Sequence, residues 1–282
     1  MWPAEDLLEL VLEGPLERLW TAEERERLGR FTPCELLAGA REMLARPQPA
    51  HPSPAARAVN GPILAAQWLA LFRDLDLPRD AFVVEVCAGG SPPVVLALAA
   101  HAPNRGRYVG VNLNRGLGEQ LRARAAALPV DALFVEANAR RLGDYVGHAT
   151  ADCVAFHHAV NDILQTAVAD AEGIDTVDLE WWPNERRLIE LTAAYEKAGL
   201  LHSVGWETVR EIAAAAAQAV KPGGYLLFDH WTSGGYLNAE WFPKTLFSEM
   251  IPHTRALLCP LALREVTPPH LERQWWMVLQ RE

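Results

Sequence analysis

The sequence predicts an α/β protein built on a doubly wound, mostly parallel seven-stranded sheet, with helices in front of it. Three observations lead to this prediction. Short apolar runs alternate with helical segments from residue 81 onward, the first run ends in a small-residue turn, and half of the 282 residues are hydrophobic. Strands that alternate with helices at this spacing are typical of parallel sheets covered on both faces. Such sheets bind ligands at the carboxyl ends of their strands, where the strand order reverses.

Charge and cysteine content exclude several classes of protein. The formal net charge is −10, which argues against a general nucleic-acid binder. The four cysteines stand far apart with no CxxC pair, so neither a disulfide framework nor a structural zinc site is expected. We find no basic leader and no apolar run of 18 residues, so we expect a cytoplasmic protein with no membrane partner.

Residues 1–78 are predicted to form an N-terminal helical cap, because apolar and acidic residues alternate there at helical spacing. Thr21 followed by Glu24 predicts a capping box. Residues 79–282 are predicted to form the ligand-binding domain, with strands over 81–90, 107–114, 132–139, 151–160, 221–231 and 274–281. The inserts 163–205 and 232–270 are expected to cover the site.

The turn after the first predicted strand, VVEVCAGGSPP, allows the backbone to approach a ligand closely. A dinucleotide would need free N–H groups at the start of the next helix, and Pro92 and Pro93 remove two of them. The turn therefore favours a nucleoside ligand without phosphate. A tight turn that binds nothing is the alternative.

Six segments in order resemble class I S-adenosylmethionine-dependent methyltransferases. VVEVCAGGSPP resembles their first motif, YVGVNLN their second strand, FVEANARRL their third motif, ADCVAFHHAV their fourth strand, AVKPGGYLLF their fifth-strand motif and QWWMVLQ their closing antiparallel strand. The resemblance covers about 81–282. It implies a Rossmann-like methyltransferase fold and S-adenosylmethionine as cofactor.

The resemblance also implies which residues bind the cofactor. Asn112 stands where a ribose-binding acid is usual, and Asn138 where an acid usually contacts the adenine. An amide offers one uncharged acceptor oxygen, so each replacement weakens its contact by about 1 kcal/mol. The full implied set is Glu85, Ala88, Gly89, Gly90, Asn112, Leu113, Asn138, Ala139 and His157.

The candidate catalytic residues lie at the ends of the fourth and fifth strands and in the first insert. His158 is a candidate general base and Asp162 a candidate orienting group. His157 and His158 are adjacent and should point opposite ways, so this pair does not predict a metal site. The remaining candidates, and the aromatic residues expected to cover the acceptor, are Asn161, His230, Tyr195, Trp181, Trp182 and Trp206.

Three functions remain open from the sequence. The first is methyl transfer to a small molecule, such as an intermediate of secondary metabolism, with no nucleic-acid partner. The second uses the same cofactor differently: its amine attacks its own γ-carbon, closes a four-membered ring and releases methylthioadenosine. The third is a non-catalytic partner protein of the same fold. Trp275 and Trp276, adjacent on a late strand, allow a homodimer interface.

Overall fold

A computed structural model describes residues 1–232 and 234–282. It contains one seven-stranded sheet, and the predicted strands are found with shifts of a few residues at their ends. The fourth segment, for example, ends its strand at His157 and turns directly into a helix. The strands are β1 (Phe82–Val86), β2 (Arg107–Asn112), β3 (Asp131–Glu136), β4 (Ala151–His157), β5 (Val220–Asp229), β6 (Leu263–Val266) and β7 (Trp276–Arg281).

The strand order is β3-β2-β1-β4-β5-β7-β6. Strands β1 to β5 pair in parallel, and β7 runs antiparallel to both β5 and β6. The predicted doubly wound, mostly parallel sheet is confirmed. The order reverses between β1 and β4, and a parallel sheet opens a ligand crevice at that point.

Helices cover both faces of the sheet. One face packs against α1–α5 and α6, and the other against α8, α10 and α13. The helices are α1 (Ala4–Leu12), α2 (Ala22–Gly29), α3 (Pro33–Leu44), α4 (Pro54–Asp74), α5 (Pro93–His101), α6 (Arg115–Ala125), α7 (Leu142–Val146), α8 (Ala159–Ala171), α9 (Trp181–Lys197), α10 (Glu207–Ala219), α11 (Gly234–Leu237), α12 (Lys244–Ser248) and α13 (Met250–Leu258).

Helix α4 is the main support of the first face. Most of its residues are buried on all sides, because it lies between α3, α5 and the sheet. Trp68 is fully buried at its centre and meets Trp276 of β7 edge to face, with ring centroids 5.4 Å apart. The N-terminal helices thus share one hydrophobic cluster with the sheet. The Thr21–Glu24 capping box is present.

One feature lay outside the sequence prediction. Strand β6 falls inside the insert that was expected only to cover the site. It completes the antiparallel edge beside β7. Within the described residues, no helix combines the length and the apolar character needed to cross a membrane.

Candidate functional site

The turn after β1 brings the backbone to the switch point of the sheet. Cys87 adopts a left-handed conformation with φ of 56°, which is strained for a residue with a side chain. The Ala88 backbone N–H donates to the Val111 carbonyl (3.2 Å), and the Asn112 side-chain Nδ2 donates to the Ala88 carbonyl (2.9 Å). Helix α5 then begins at Pro93. These two hydrogen bonds fix the turn to β2. Pro92 and Pro93 stand at the start of α5 and have no N–H group to donate to a phosphate.

A pocket of about 440 Å³ opens at the ends of β2 and β3, which we call the β2–β3 pocket. Its size is that of an ordinary small-molecule site. Helix α8 forms one wall of this pocket and α10 another. The lining includes Asn112, Leu113, Asn138 and Ala139 from the predicted set, together with Cys87, Arg140, Ile163, Thr166, Asp170, Val204 and Thr208.

The two asparagines in this pocket are partly engaged by the protein itself. The Asn112 Oδ1 accepts from the Asn114 amide (2.8 Å), and the Asn138 Oδ1 accepts from the Arg140 amide (2.9 Å). Each oxygen keeps one lone pair for a ligand. Both side chains therefore shape their turns first, which sequence reasoning did not anticipate.

The segment that closes the end of β2 is held by Asn114. This buried side chain accepts from the Leu117 amide at the start of α6 and donates to the carbonyls of Thr176 and Leu179 (2.8 Å each). Thr176 lines the β2–β3 pocket. One asparagine thus joins the helix start, the end of β2 and the covering segment.

Glu85 does not line the β2–β3 pocket, and its implied contact with the cofactor stays a prediction. Side chains alternate along a strand, and Glu85 faces helix α4 together with Val83. It is 1% exposed and accepts from the Tyr108 hydroxyl at 2.5 Å. Burial raises the pKa of this carboxyl to about 7, against the opposing charge of His157.

Of the two glycines in the turn, Gly90 has a close neighbour. A Cβ atom at Gly90 would stand 2.5 Å from the Gln120 amide oxygen, so a larger residue would force that side chain to move. Neither Gly89 nor Gly90 lines the β2–β3 pocket. Ala88 borders a smaller cavity of about 90 Å³ between β2 and α6.

At the ends of β4 and β5, His157 and Asp229 form a buried pair. The imidazole Nδ1 lies 3.0 and 3.1 Å from the two carboxylate oxygens, and the side chains are 9% and 0% exposed. Burial alone would lower the pKa of His157, but the charge and hydrogen bond of Asp229 raise it above its ordinary value. The Trp68 indole N–H also points at Nδ1 (3.3 Å), but the Asp229 carboxylate is the stronger partner and favours a proton on Nδ1. With that proton donated to Asp229, Nε2 is the nitrogen left to take up a second proton. Trp68 packs edge-on against this ring at a centroid distance of 5.9 Å.

His158 is held in a left-handed conformation, φ 53°, at the start of α8. Its amide donates to the Asp229 carboxylate (3.1 Å), so Asp229 positions two successive histidines. The centroid of the His158 ring lies 3.8 Å from the centroid of the Trp231 ring and 4.9 Å from that of the His230 ring. Burial, and then the charges of neighbouring His230 and His157, hold the pKa of His158 well below its ordinary value.

The His158 and His230 rings carry unpaired nitrogens. Among the described residues, His158 Nε2 and both ring nitrogens of His230 are buried without a hydrogen-bond partner. Thr232 Oγ1 shares this state. Burial lowers the pKa of His230 to about 3, so this ring is neutral at physiological pH. Buried polar atoms are normally paired, and a group of unpaired ones indicates a place for a polar ligand.

Asp162 and Asn161 lie next to the β2–β3 pocket. The Asn161 amide donates to the Asp162 carboxyl (2.8 Å), while Asn161 Oδ1 is buried and unpaired within the described residues. Asp162 borders a small cavity of about 20 Å³ that it shares with Cys87 and Trp181. Burial, and then the charge of Glu185, raise the pKa of Asp162 to about 8, so it is largely protonated at neutral pH.

Tyr195 does not join the other candidates. Its hydroxyl donates to the exposed Glu172 carboxylate at 2.7 Å on the outer side of α9. The helical period turns this residue outward, so its expected catalytic part is not supported by its position. Trp182 is 57% exposed, and Trp206 stacks on His253. Of the expected aromatic cover, Trp181 alone borders the cavity that contains Asp162.

The predicted site residues did not include Trp68, Arg46 or Asp229, which the fold brings to this place. Asp229 directly precedes the predicted candidate His230 at the end of β5, so the sequence offered a signal for it. Trp68 and Arg46 lie in the N-terminal region, where no local pattern distinguishes them. Within residues 1–232 and 234–282, no group of three or more His, Cys, Asp or Glu side chains is arranged to hold a metal ion.

No family model matches the sequence, and no curated protein matches it. Among solved structures, a SAM-dependent methyltransferase from Aquifex aeolicus is 9% identical, with a TM-score of 0.46 over 75% of this chain and 87% of that one. A protein assigned as an rRNA methylase from Clostridium thermocellum is 11% identical, with a TM-score of 0.43 over 76% of this chain and 93% of that one. A protein described as a possible exported protein from Bordetella parapertussis is 14% identical, with a TM-score of 0.46 over 100% and 97%.

Two further matches belong to longer chains, of which this chain spans 46% and 49%. These likenesses concern the fold alone. The chain has a class I SAM methyltransferase-like fold, and its strand order with β7 antiparallel is the observation on which that statement rests.

Proposed function

We propose that this chain is a S-adenosylmethionine-dependent methyltransferase that acts on a small-molecule acceptor. One observation carries the proposal. The β2–β3 pocket opens at the ends of β2 and β3, and the polar cluster of His157, His158 and His230 lies at the ends of β4 and β5, so both occupy the carboxyl edge of the sheet. The pocket suits the nucleoside part of a cofactor, and the histidine cluster suits an acceptor that must be positioned and deprotonated.

The residues around the β2–β3 pocket fit the nucleoside part of this cofactor. Asn112 and Asn138 each retain one acceptor lone pair, for the ribose hydroxyls and the adenine amino group respectively. Ile163 and Val204 offer apolar contact for a flat base. When bound, S-adenosylmethionine supplies a methyl group already activated by its sulfonium. Placement of the acceptor is then the main task that falls to the protein.

His157 is the best-placed general base. Asp229 fixes its tautomer and raises its pKa, so its Nε2 is suited to receive the proton of an acceptor hydroxyl or amine near neutral pH. The contact between His157 and the cofactor that the resemblance implies stays a prediction. His158 and His230 are neutral and act by hydrogen bonding, each with one donor and one acceptor nitrogen. Asp162, protonated at neutral pH, donates rather than accepts.

The acceptor we propose is a small molecule because the polar atoms that would hold it are buried. His230 is 2% exposed and Thr232 is 2% exposed. The net charge of −10 also disfavours a nucleic-acid surface. Since one structure with this fold is assigned as an rRNA methylase, RNA belongs among the acceptors tested. Cytoplasmic location and a homodimer stay predictions.

The test measures cofactor binding first and products second. Isothermal titration calorimetry should detect S-adenosylmethionine binding to the native protein. Thr166→Phe fills the β2–β3 pocket from a half-buried position and should abolish it. The control is Thr245→Phe, an exposed threonine far along the chain that borders a different cavity. No binding to the native protein would overturn the proposal.

Products are then read by mass spectrometry with S-adenosylmethionine alone, with a small-molecule extract and with total RNA. S-adenosylhomocysteine that appears only with the extract supports the proposal, and His157→Gln should lower its rate by about 10²–10⁴-fold. Appearance with RNA alone would move the acceptor to nucleic acid. Formation of methylthioadenosine from S-adenosylmethionine alone would establish the ring-closing reaction. None of the contacts described above favours that reaction. If the protein binds S-adenosylmethionine but forms no product under any of these conditions, the result supports a non-catalytic partner protein.

A further inference from the structure

We infer that the acceptor carries a carboxylate, and that Arg46 is the residue that binds it. The inference rests on the proposed function in one respect, namely that the polar cluster beyond β4 and β5 receives the acceptor. The ligand class it names is a flat, small-molecule carboxylate.

Arg46 reaches the cluster from the end of α3. Its guanidinium carbon lies 5.1 Å from the centre of the Trp231 ring, on the face of that ring. The same Trp231 ring lies 3.8 Å from that of His158. The cation is thus held one aromatic ring away from the unpaired nitrogens of His158 and His230. A ligand bound to those nitrogens would lie within reach of Arg46.

The protein leaves Arg46 without an anionic partner. Among the described residues no carboxylate oxygen lies within 4.0 Å of its nitrogens, although the chain holds fourteen such pairs elsewhere. Asp229, the nearest buried carboxylate in this cluster, is already engaged by His157. Burial lowers the pKa of Arg46 to about 10, although the charges of Asp229 and Glu272 oppose this shift, and the guanidinium stays charged at neutral pH.

A role in capping α3 accounts for part of the Arg46 side chain only. Its Nη1 donates to the carbonyls of Met43 (2.7 Å) and Ala45 (3.0 Å), which positions the guanidinium at the helix end. Its Nε is buried and has no partner within the described residues. A guanidinium with one nitrogen anchored and another free is preset for a carboxylate, which forms paired hydrogen bonds with this group.

The side chains around the unpaired nitrogens are aromatic. His158, His230, Trp231 and Phe247 present rings to one another, with the His230 and Phe247 centroids 5.8 Å apart. Aromatic walls accept planar groups, and the neutral imidazoles supply both a donor and an acceptor for a hydroxyl or amine on the ligand. A hydroxylated aromatic acid has this combination of groups.

The experiment compares two probes of the same shape by isothermal titration calorimetry, without S-adenosylmethionine. The probes are 4-hydroxybenzoate, which is anionic, and 4-hydroxybenzamide, which is neutral. We expect the native protein to bind the carboxylate at least tenfold more tightly. In Arg46→Met the carboxylate should lose at least tenfold in affinity and the amide less than twofold. Arg57→Met, an exposed arginine on α4, is the matched control and should change neither.

Equal binding of the two probes to the native protein, or no binding of either at millimolar concentration, would overturn the inference. So would a charge preference that survives in Arg46→Met. If that variant does not fold, Arg46→Lys keeps the charge and should keep part of the preference, and the native comparison still decides. Carboxylate binding in a protein that does not bind S-adenosylmethionine would uphold this inference and reject the proposed function.

Discussion

Replacing Asp229 with asparagine should destabilise the protein in a way that depends on pH. At 3.0 Å and an effective dielectric constant of about 20, the attraction between His157 and Asp229 is about 5 kcal/mol. Desolvation of two buried ions offsets part of it, so the net loss on removing one charge is about 2–3 kcal/mol. Asparagine keeps the shape and one acceptor oxygen for the His158 amide, so this charge term dominates.

The sign of the pH dependence follows from the raised pKa of His157. A histidine with a folded pKa above its unfolded value of about 6.5 contributes stability that is complete below pH 6.5. That stability is lost as the pH rises through the folded pKa. The loss caused by Asp229→Asn should therefore be about 2–3 kcal/mol at pH 6 and much smaller at pH 9.

The assay is urea unfolding followed by tryptophan fluorescence at both pH values, with an imidazole ¹⁵N titration of His157 in each protein. Asp152→Asn is the matched control. Asp152 is also buried and carries a hydrogen bond from the Phe82 amide (2.8 Å), but it pairs with Lys221 rather than a histidine. Its loss should be the same at pH 6 and pH 9. An equal effect of Asp229→Asn at both values, or an unchanged pKa of His157, would refute the reasoning.

Three further outcomes are expected. Glu85→Gln should raise the free energy of unfolding by about 2–3 kcal/mol at pH 8 and leave it nearly unchanged at pH 5, because burial raises the pKa of this carboxyl from 4.5 to about 7. Urea titration at both pH values checks this, and an equal rise in the free energy of unfolding at pH 5 would contradict it. Asn114→Ala should cost about 2–3 kcal/mol and expose the segment 172–180 to limited proteolysis, whereas loss of the surface cap in Thr21→Ala should cost about 1 kcal/mol and leave that segment protected. Cys87 lines the β2–β3 pocket and is half-buried, but desolvation raises the pKa of its thiol, so at pH 8 it should react with a thiol reagent much more slowly than the exposed Cys34 and Cys259; equal rates at the three cysteines would be the contrary result.

Much of the sheet was predictable from the sequence because its signals are local. A buried parallel strand reads as a short apolar run, and turn residues mark its ends, so β1 to β5 and β7 were located from the sequence. Strand β6 was missed because LREV is a short, half-exposed edge strand with no apolar run. Its hydrogen bonds to β7 stabilise it as a strand, and its own residues give no such signal in the sequence.

The sequence by itself determined the fold class, the carboxyl edge as the place of the site, and several of the pocket residues, among them Asn112 and Asn138. The tertiary structure decided which side chains act together. Strand alternation turned Glu85 toward α4, the helical period turned Tyr195 to the surface, and β4 and β5 brought His157 against Asp229. Arg46 reached Trp231 from nearly two hundred residues away. Local patterns fix which residues form a strand or helix, but contacts between distant segments depend on packing, and no local pattern records them.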